Sequence, residues 1–365
     1  MAAPKLILAG EKHLAALLQS HGVKVDHTIE HRKGGAGPAE GTTLILNDRP
    51  VSIPIAGSFV GHSPYSIGQY EGEPFLFNNG SPIKAVLKPP SPHFYTLKTA
   101  DGIPYRKIAL LHGTSCLAST VLQKCSYWNT PDRCTFCGIE ISLQSNATTA
   151  QKTPQQLLEV AQAAFQLDTI SHITLTTGSH PDSSLDVEHL ASCCTFLKSG
   201  INLPIHVQII PPRDLTQLER LKQSGADTIG IHIENFDSTI LNKVAPCKTS
   251  FSLKHYITAW KEAVRIFGIN QVSSFIILGL GEKAQSVLDG VALLCEIGVY
   301  PFIVPLRPIP GTPLGLNSPP APDYMISIYQ QAAILLQENG LSWKNSRAGC
   351  VRCGACSALP DFELN

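Results

Sequence analysis

Thr120-Val-Leu-Gln-Lys-Cys125-Ser-Tyr-Trp-Asn-Thr-Pro-Asp-Arg-Cys134-Thr-Phe-Cys137 runs from a strand-like segment straight into three cysteines in one loop. Downstream of it the chain changes rhythm. Short apolar runs at 172–176, 205–210, 228–233, 272–278 and 302–306 alternate with helical patterns. Near-continuous apolar runs of this length suit parallel strands buried on both faces. With 120–124 as the first strand, they make six strand-then-helix units, which implies a parallel sheet with right-handed crossovers. Six units are too few for a closed eight-fold barrel. The expected fold is therefore α/β, a partial (β/α)6 TIM-type barrel, with a doubly wound open sheet as the alternative. In either, chemistry belongs at the carboxyl ends of the strands.

The helices carry their own boundary signals. Thr153-Pro154-Gln155-Gln156 offers an N-cap threonine, a proline at the first helical position and a capping-box glutamine. Leu157, Leu158, Ala161, Ala164 and Phe165 then follow at helical spacing. Asp214 opens another helix and Gly225 closes it, and Val287, Leu288, Val291, Leu294 and Cys295 form one face of a third. Asp323 begins the last one, which ends near Gly340.

Upstream, residues 1–110 read as an N-terminal α+β extension with a first helix (Leu14, Leu17, Leu18), short strands at Pro- and Gly-bounded runs, and a glycine-rich stretch at 33–41 read as a surface loop. Residues 111–320 form the expected partial barrel, and 321–365 a C-terminal helix with a cysteine-rich tail. The chain has 365 residues and balances 28 basic against 28 acidic side chains, which argues against a nucleic-acid partner. The apolar run at 6–9 is too short for a signal-peptide core, and no stretch is long enough to span a membrane. A cytoplasmic location is expected. In a reducing compartment eleven cysteines are not a disulfide framework. Cys193, Cys194 and Cys295, inside apolar helical patterns, read as core residues.

Cys125, Cys134 and Cys137 are different. Three thiolates from one loop hold three irons of a cubane cluster and leave the fourth iron open to a small molecule. The competing reading is a structural zinc site completed by Cys116 or His112.

Cys134-Thr-Phe136-Cys137 resembles the second half of the radical S-adenosylmethionine (SAM) signature, with an aromatic residue before the last cysteine. Eight residues separate Cys125 from Cys134, where most members have three. Lengthening the loop this much costs roughly 0.9 kcal/mol of closure entropy, small beside metal–thiolate bonding. Further resemblances fall in order along the strands. Thr177-Gly178-Ser179 resembles the turn that meets the amino group of SAM. Glu234 stands where the family places a polar residue on the ribose hydroxyls, although a solvated strand-end glutamate would look the same. Gly279-Leu280-Gly281-Glu282 and Gly311-Thr-Pro-Leu314 resemble segments of biotin synthase-like and lipoyl synthase-like members.

The resemblance implies a [4Fe–4S] cluster on Cys125, Cys134 and Cys137 and SAM as co-substrate. It also implies a flavodoxin or ferredoxin as electron donor, and hydrogen abstraction from a small-molecule substrate by a 5′-deoxyadenosyl radical. Cys350-Val-Arg-Cys353-Gly-Ala-Cys356 resembles the start of a ferredoxin motif, with Pro360 where a fourth cysteine is expected. It is read as an auxiliary cluster site completed by Cys116 or by substrate, as a set of redox thiols, or as a zinc knuckle or mobile tail. Together with His112-Gly113-Thr-Ser-Cys116 and the eight-residue spacing, this tail resembles a bacterial radical SAM family encoded beside a nitrilase, which implies a nitrile- or cyanide-related pathway. The rival readings are a non-catalytic protein with two zinc knuckles and a radical SAM enzyme acting on RNA or protein. His180, His232 and Tyr127 are assigned no acid–base role.

Overall fold

The computed structural model describes residues 13–25, 33–35 and 39–363; the run at 6–9 lies outside them. α1 (Leu14–His21) precedes a hairpin of β1 (Gly41–Leu46) and β2 (Arg49–Pro54) and a three-stranded antiparallel sheet of β3 (Tyr65–Tyr70), β4 (Glu73–Asn78) and β5 (Ser81–Ala85). Asn47 and Asp48 turn the hairpin with both residues at positive φ, the backbone that matches the twist of paired strands.

The main sheet has seven strands among the described residues: β6 (Leu110–His112), β7 (Cys116–Leu122), β8 (His172–Thr177), β9 (Ile205–Ile209), β10 (Thr228–Ile231), β11 (Val272–Leu278) and β12 (Val299–Pro305). They lie side by side in chain order, β6 antiparallel to β7 and every later pair parallel. The crossovers are α2 (Ile141–Gln144) and α3 (Pro154–Asp168), α4 (Ser183–Gly200), α5 (Thr216–Gln223), α6 (Ser238–Val244) with α7 (Leu253–Phe267), and α8 (Ala284–Ile297). α9 (Pro322–Glu338) follows β12, and α10 (Gly349–Cys353) lies close to the C-terminus.

Because the strand order never reverses, successive right-handed crossovers put the helices on one face and leave the other to curl around a cavity. A doubly wound sheet reverses its strand order, so that alternative is excluded. The sequence reading put the first strand at 120–124. It runs Cys116–Leu122 instead, because the buried Leu117 and Ala118 already pair with β8, while Lys124 lies beyond the last pair, Leu122 with Thr177. The three-residue β6 was missed, being too short to show a period.

The helix signals act as expected where side chains can cap. Thr153 accepts from Gln156 N and Gln156 Oε1 accepts from Thr153 N, closing the capping box. Asp182 accepts from Ser184 N at the start of α4, and Asp237 from Thr239 N and Ile240 N at the start of α6, without a reciprocal partner. Trp260, fully buried on α7, donates from Nε1 to Ile231 O at 2.9 Å and so fastens the helix to β10. Cys193, Cys194 and Cys295 are buried in helix faces, as read.

The glycine-rich stretch is not a plain surface loop. Gly34 and Gly35 are buried, Gly35 N donates to Gly138 O at 2.7 Å, and a Cβ on Gly34 would stand 2.5 Å from Ile141 Cβ. Only a backbone without side chains packs this closely against the cysteine loop. The C-terminal segment is no free tail either. Val351, Ala355, Ala358 and Leu359 are buried, and Ser357 Oγ donates to Ile303 O at 2.5 Å.

Two predictions follow from the packing. A Cβ on Gly178 would lie 2.0 Å from Lys124 O, beside the hydrogen bond from Gly178 N to Leu122 O. Gly178→Ala is expected to force apart the ends of β7 and β8 and cost about 2 kcal/mol or more, read by urea unfolding. His172 and His206 are buried, and burial lowers their pKa to about 4 and about 3. The unfolded chain takes up protons on both below about pH 6.5 while the folded chain does not. Their stabilising share is complete above that pH and is lost as pH falls toward 4, about 2 kcal/mol per histidine by pH 5. Urea midpoints between pH 7 and 5 should fall, and a His172→Gln, His206→Gln variant should flatten that slope.

Candidate functional site

The loop after β7 is held from several sides. Cys125 N donates to Glu140 Oε1 at 3.0 Å, and Ser126 N to Ser179 O at 2.8 Å. Further along, Thr135 N donates to Val244 O, Leu314 N to Thr135 O, and Cys247 N to Asp132 O. The Arg133 guanidinium lies over the Trp128 ring at 3.4 Å. The eight-residue spacing is thus a braced loop, and the Gly311–Leu314 segment is one of its braces.

Cys125, Cys134 and Cys137 line one cavity of about 380 Å³, as do Phe136, Thr177, Gly178, Ser179 and Glu234. The thiols resist ionisation. Burial raises Cys125, and burial with the charge of Cys134 pushes Cys137 up to about 12. Bound iron would relieve both penalties, because it replaces the proton on each sulfur. Among the described residues no three His, Cys, Asp or Glu side chains close on one point as ligands of a single ion do. Ligands of a cubane stand at separate corners, and all three thiols line the same cavity. The donor set fits a cluster.

Cys247 was missed by the sequence reading. Its Sγ lies 3.4 Å from Cys134 Sγ, and it too lines the cavity. Their hydrogen bond raises Cys134 and lowers Cys247, and the charge of Lys248 favours the thiolate in both. Nothing in its Pro246-Cys247-Lys248 context carries a spacing signal, since the contact spans 113 positions. Lys248 was missed as well. Its Nζ donates to Glu234 Oε1 at 2.8 Å and to His232 O at 2.7 Å. Burial opposes this charge, but the Glu234 carboxylate outweighs it and holds Lys248 above its usual range. Glu234 is fixed from the other side by a positive φ of 70° and by hydrogen bonds of its backbone to β11.

Gly279, Gly281 and Glu282 do not reach this cavity. The Glu282 carboxylate folds back on its own turn, accepting from Gly279 N and Leu280 N at 2.8 Å each and from Tyr324 OH at 3.2 Å. Gly279, at φ 97°, packs where a Cβ would meet Pro320 Cδ at 2.9 Å. At the far end of the same cavity stand Cys116, Cys350, Cys353 and Cys356.

Residues 130–294 match the family model of the radical SAM superfamily. A stretch of 135 residues is 29% identical to bacteriochlorophyllide c C-7(1)-hydroxylase of Chlorobaculum limnaeum. It covers 36% of this chain and about a third of that relative, 33%. Among solved structures, methylornithine synthase aligns over 68% of this chain and 78% of its own, at 15% identity and a TM-score of 0.46. The BexX/CysO complex of Amycolatopsis orientalis aligns over 62% and 81%, at 15% identity and a TM-score of 0.31. No helix among the described residues is long and apolar enough to cross a membrane. The stretch that matches the radical SAM superfamily model thus carries Cys134, Cys137 and Glu234, at the rim of the parallel half-barrel.

Proposed function

We propose that the chain cleaves SAM reductively on a [4Fe–4S] cluster held by Cys125, Cys134 and Cys137, and directs the resulting radical at a small-molecule substrate inside the half-barrel. The observation that carries this reading is the convergence of those three thiols, the Thr177–Ser179 turn and Glu234 on one cavity wall at the carboxyl ends of the strands. When bound, the cluster and SAM supply a 5′-deoxyadenosyl radical after one-electron reduction by a flavodoxin- or ferredoxin-type donor.

The chain's own residues bind, orient and exclude water. Gly178 presses backbone against backbone at Lys124, which holds the Thr177–Ser179 turn against the cysteine loop. Glu234 offers a carboxylate to a vicinal diol, and the bond from Lys248 fixes where that carboxylate stands. Both groups are nearly buried, so the pair is geometrically firm rather than solvent-screened. Phe136, Ile209, Phe275, Ile277, Val304 and Leu306 give the wall an apolar face that keeps water from a reactive radical. A cavity of this size suits a small molecule better than RNA or a folded protein. The narrower resemblance of the terminal cysteines directs the substrate search to nitriles and related small nitrogen compounds.

Anaerobic reconstitution, dithionite reduction and chromatography test the reading. Wild type is expected to form 5′-deoxyadenosine and methionine from SAM, and Cys134→Ala to form neither. A colourless, zinc-containing wild type that leaves SAM intact would overturn it. For the diol contact, Glu234→Gln with Lys248→Met removes both charges and leaves no buried ion unpaired. This double variant is expected to keep its cluster absorbance and raise the KM for SAM about tenfold, roughly 1.4 kcal/mol of binding.

A further inference from the structure

β7 begins at Cys116 and ends at Leu122, three residues before Cys125. At about 3.3 Å per residue the strand alone separates the two cysteines by roughly 20 Å. Both nevertheless line the same cavity, one near each end. The amino-terminal end is closed by the C-terminal segment. Gln271 Nε2 donates to Asn345 O, Arg347 N to Gln271 Oε1, and Thr228 Oγ1 to Ala348 O, so this segment crosses the starts of β11 and β10. Gly349, at φ 91°, then passes so close to His206 that a Cβ would stand 2.5 Å from its ring. Only glycine allows the chain to enter the floor of the half-barrel there.

Three cysteines follow on this inserted turn. Cys350 and Cys353 are one helical turn apart in α10, and Gly354 in the left-handed region turns the chain toward Cys356. A Cβ on Gly113, in the turn that leads into Cys116, would lie 3.0 Å from Cys353 Sγ, and Cys116, Cys350, Cys353 and Cys356 all line the cavity. Gln208 Nε2 donates to Cys350 Sγ at 3.4 Å. The turn is clamped from outside, since Ala355 O accepts from Ser52 N at 2.7 Å and from Gln19 Nε2 at 3.1 Å. Two cations attend it. A Cβ on Gly354 would lie 3.0 Å from a guanidinium nitrogen of Arg49, which is also ion-paired with Asp361 at 2.8 Å, and half-buried Arg307 shares the cavity wall with Cys356.

We infer that Cys116, Cys350, Cys353 and Cys356 form a second iron–sulfur site, a [4Fe–4S] cluster with four protein thiolates set in the cavity floor opposite the Cys125 loop. Three thiols within seven residues and a fourth from a distant strand is cubane spacing, whereas structural zinc sites are usually built from paired knuckles. A cluster with four thiolate ligands is an anion, and Arg307, hydrogen-bonded to the neutral oxygens of Ala39 and Ser52, supplies opposing charge. A substrate in the cavity would then lie between two iron–sulfur sites. The inference stands independently of SAM cleavage at the first site.

The experiment uses full-length protein reconstituted anaerobically with ferrous iron and sulfide. A Cys125→Ala, Cys134→Ala, Cys137→Ala variant is expected to keep about half the iron and sulfide of wild type, on the order of four of each per chain. After dithionite it should show a low-temperature EPR signal that SAM does not change. In the reverse variant, Cys350→Ala, Cys353→Ala, Cys356→Ala, iron should also fall by half, and the remaining signal should respond to SAM. Cys116→Ser alone should shift or abolish the SAM-insensitive signal. Circular dichroism checks that each variant is folded, and wild type carrying twice the iron of one cluster supports the site without any variant. Zinc without sulfide at the terminal cysteines, or wild-type iron unchanged by their removal, would overturn the inference. Neither result depends on whether 5′-deoxyadenosine forms.

Discussion

The parallel ladder from β7 to β12 is the constraint on which the rest depends. Each strand is hydrogen-bonded to the one before it in the sequence, so all six carboxyl ends lie on one rim and all six amino ends on the other. Crossovers of one hand keep the helices outside, and the inner face curls into a cavity. The two rims therefore have different chemistry. The first receives the Cys125 loop, the Thr177–Ser179 turn and Glu234. The second receives the C-terminal segment through Gln271, Thr228 and His206.

Polar groups inside this curl are matched rather than solvated. Lys248 stays charged despite burial because Glu234 and the His232 carbonyl take up its protons' hydrogen bonds. Arg307 is held by Ala39 O and by the hydroxyl and carbonyl of Ser52, which ties the wall of the cavity to the β1–β2 hairpin. His172, His206 and His232 solve the same problem by staying neutral, with burial lowering each. Breaking any one partner would leave a charge or a donor stranded in low dielectric, which costs more than the intact contact contributes. The hairpin and the C-terminal segment are thus parts of the site's wall, not appendages to a barrel.

Much of this was legible in the chain itself. The strands at 172–176, 205–210, 228–233 and 272–278 announced themselves because both faces of a parallel strand are buried, and the structure moves their ends by no more than a residue or two. The Thr153 capping box was legible because its partners are three residues apart. The Cys125 loop stood out because its three cysteines lie within thirteen residues of one another. By contrast β6 was too short to show a period, and the glycine-rich stretch at 33–41 read as surface because its neighbours, Gly138 and Ile141, lie a hundred residues away.

The sequence by itself determined the α/β alternation, the three-cysteine loop at a strand end and the run of terminal cysteines, since each depends on residues within one turn or one strand of each other. Tertiary structure alone decided that the strand order never reverses, that Lys248 meets Glu234, that Cys247 meets Cys134, and that the C-terminal segment enters the floor to bring Cys350 and Cys353 to Cys116. Those outcomes depend on how far the sheet curls and which backbone passes close enough to touch. No periodicity in a chain records the distance between residues that only folding makes neighbours.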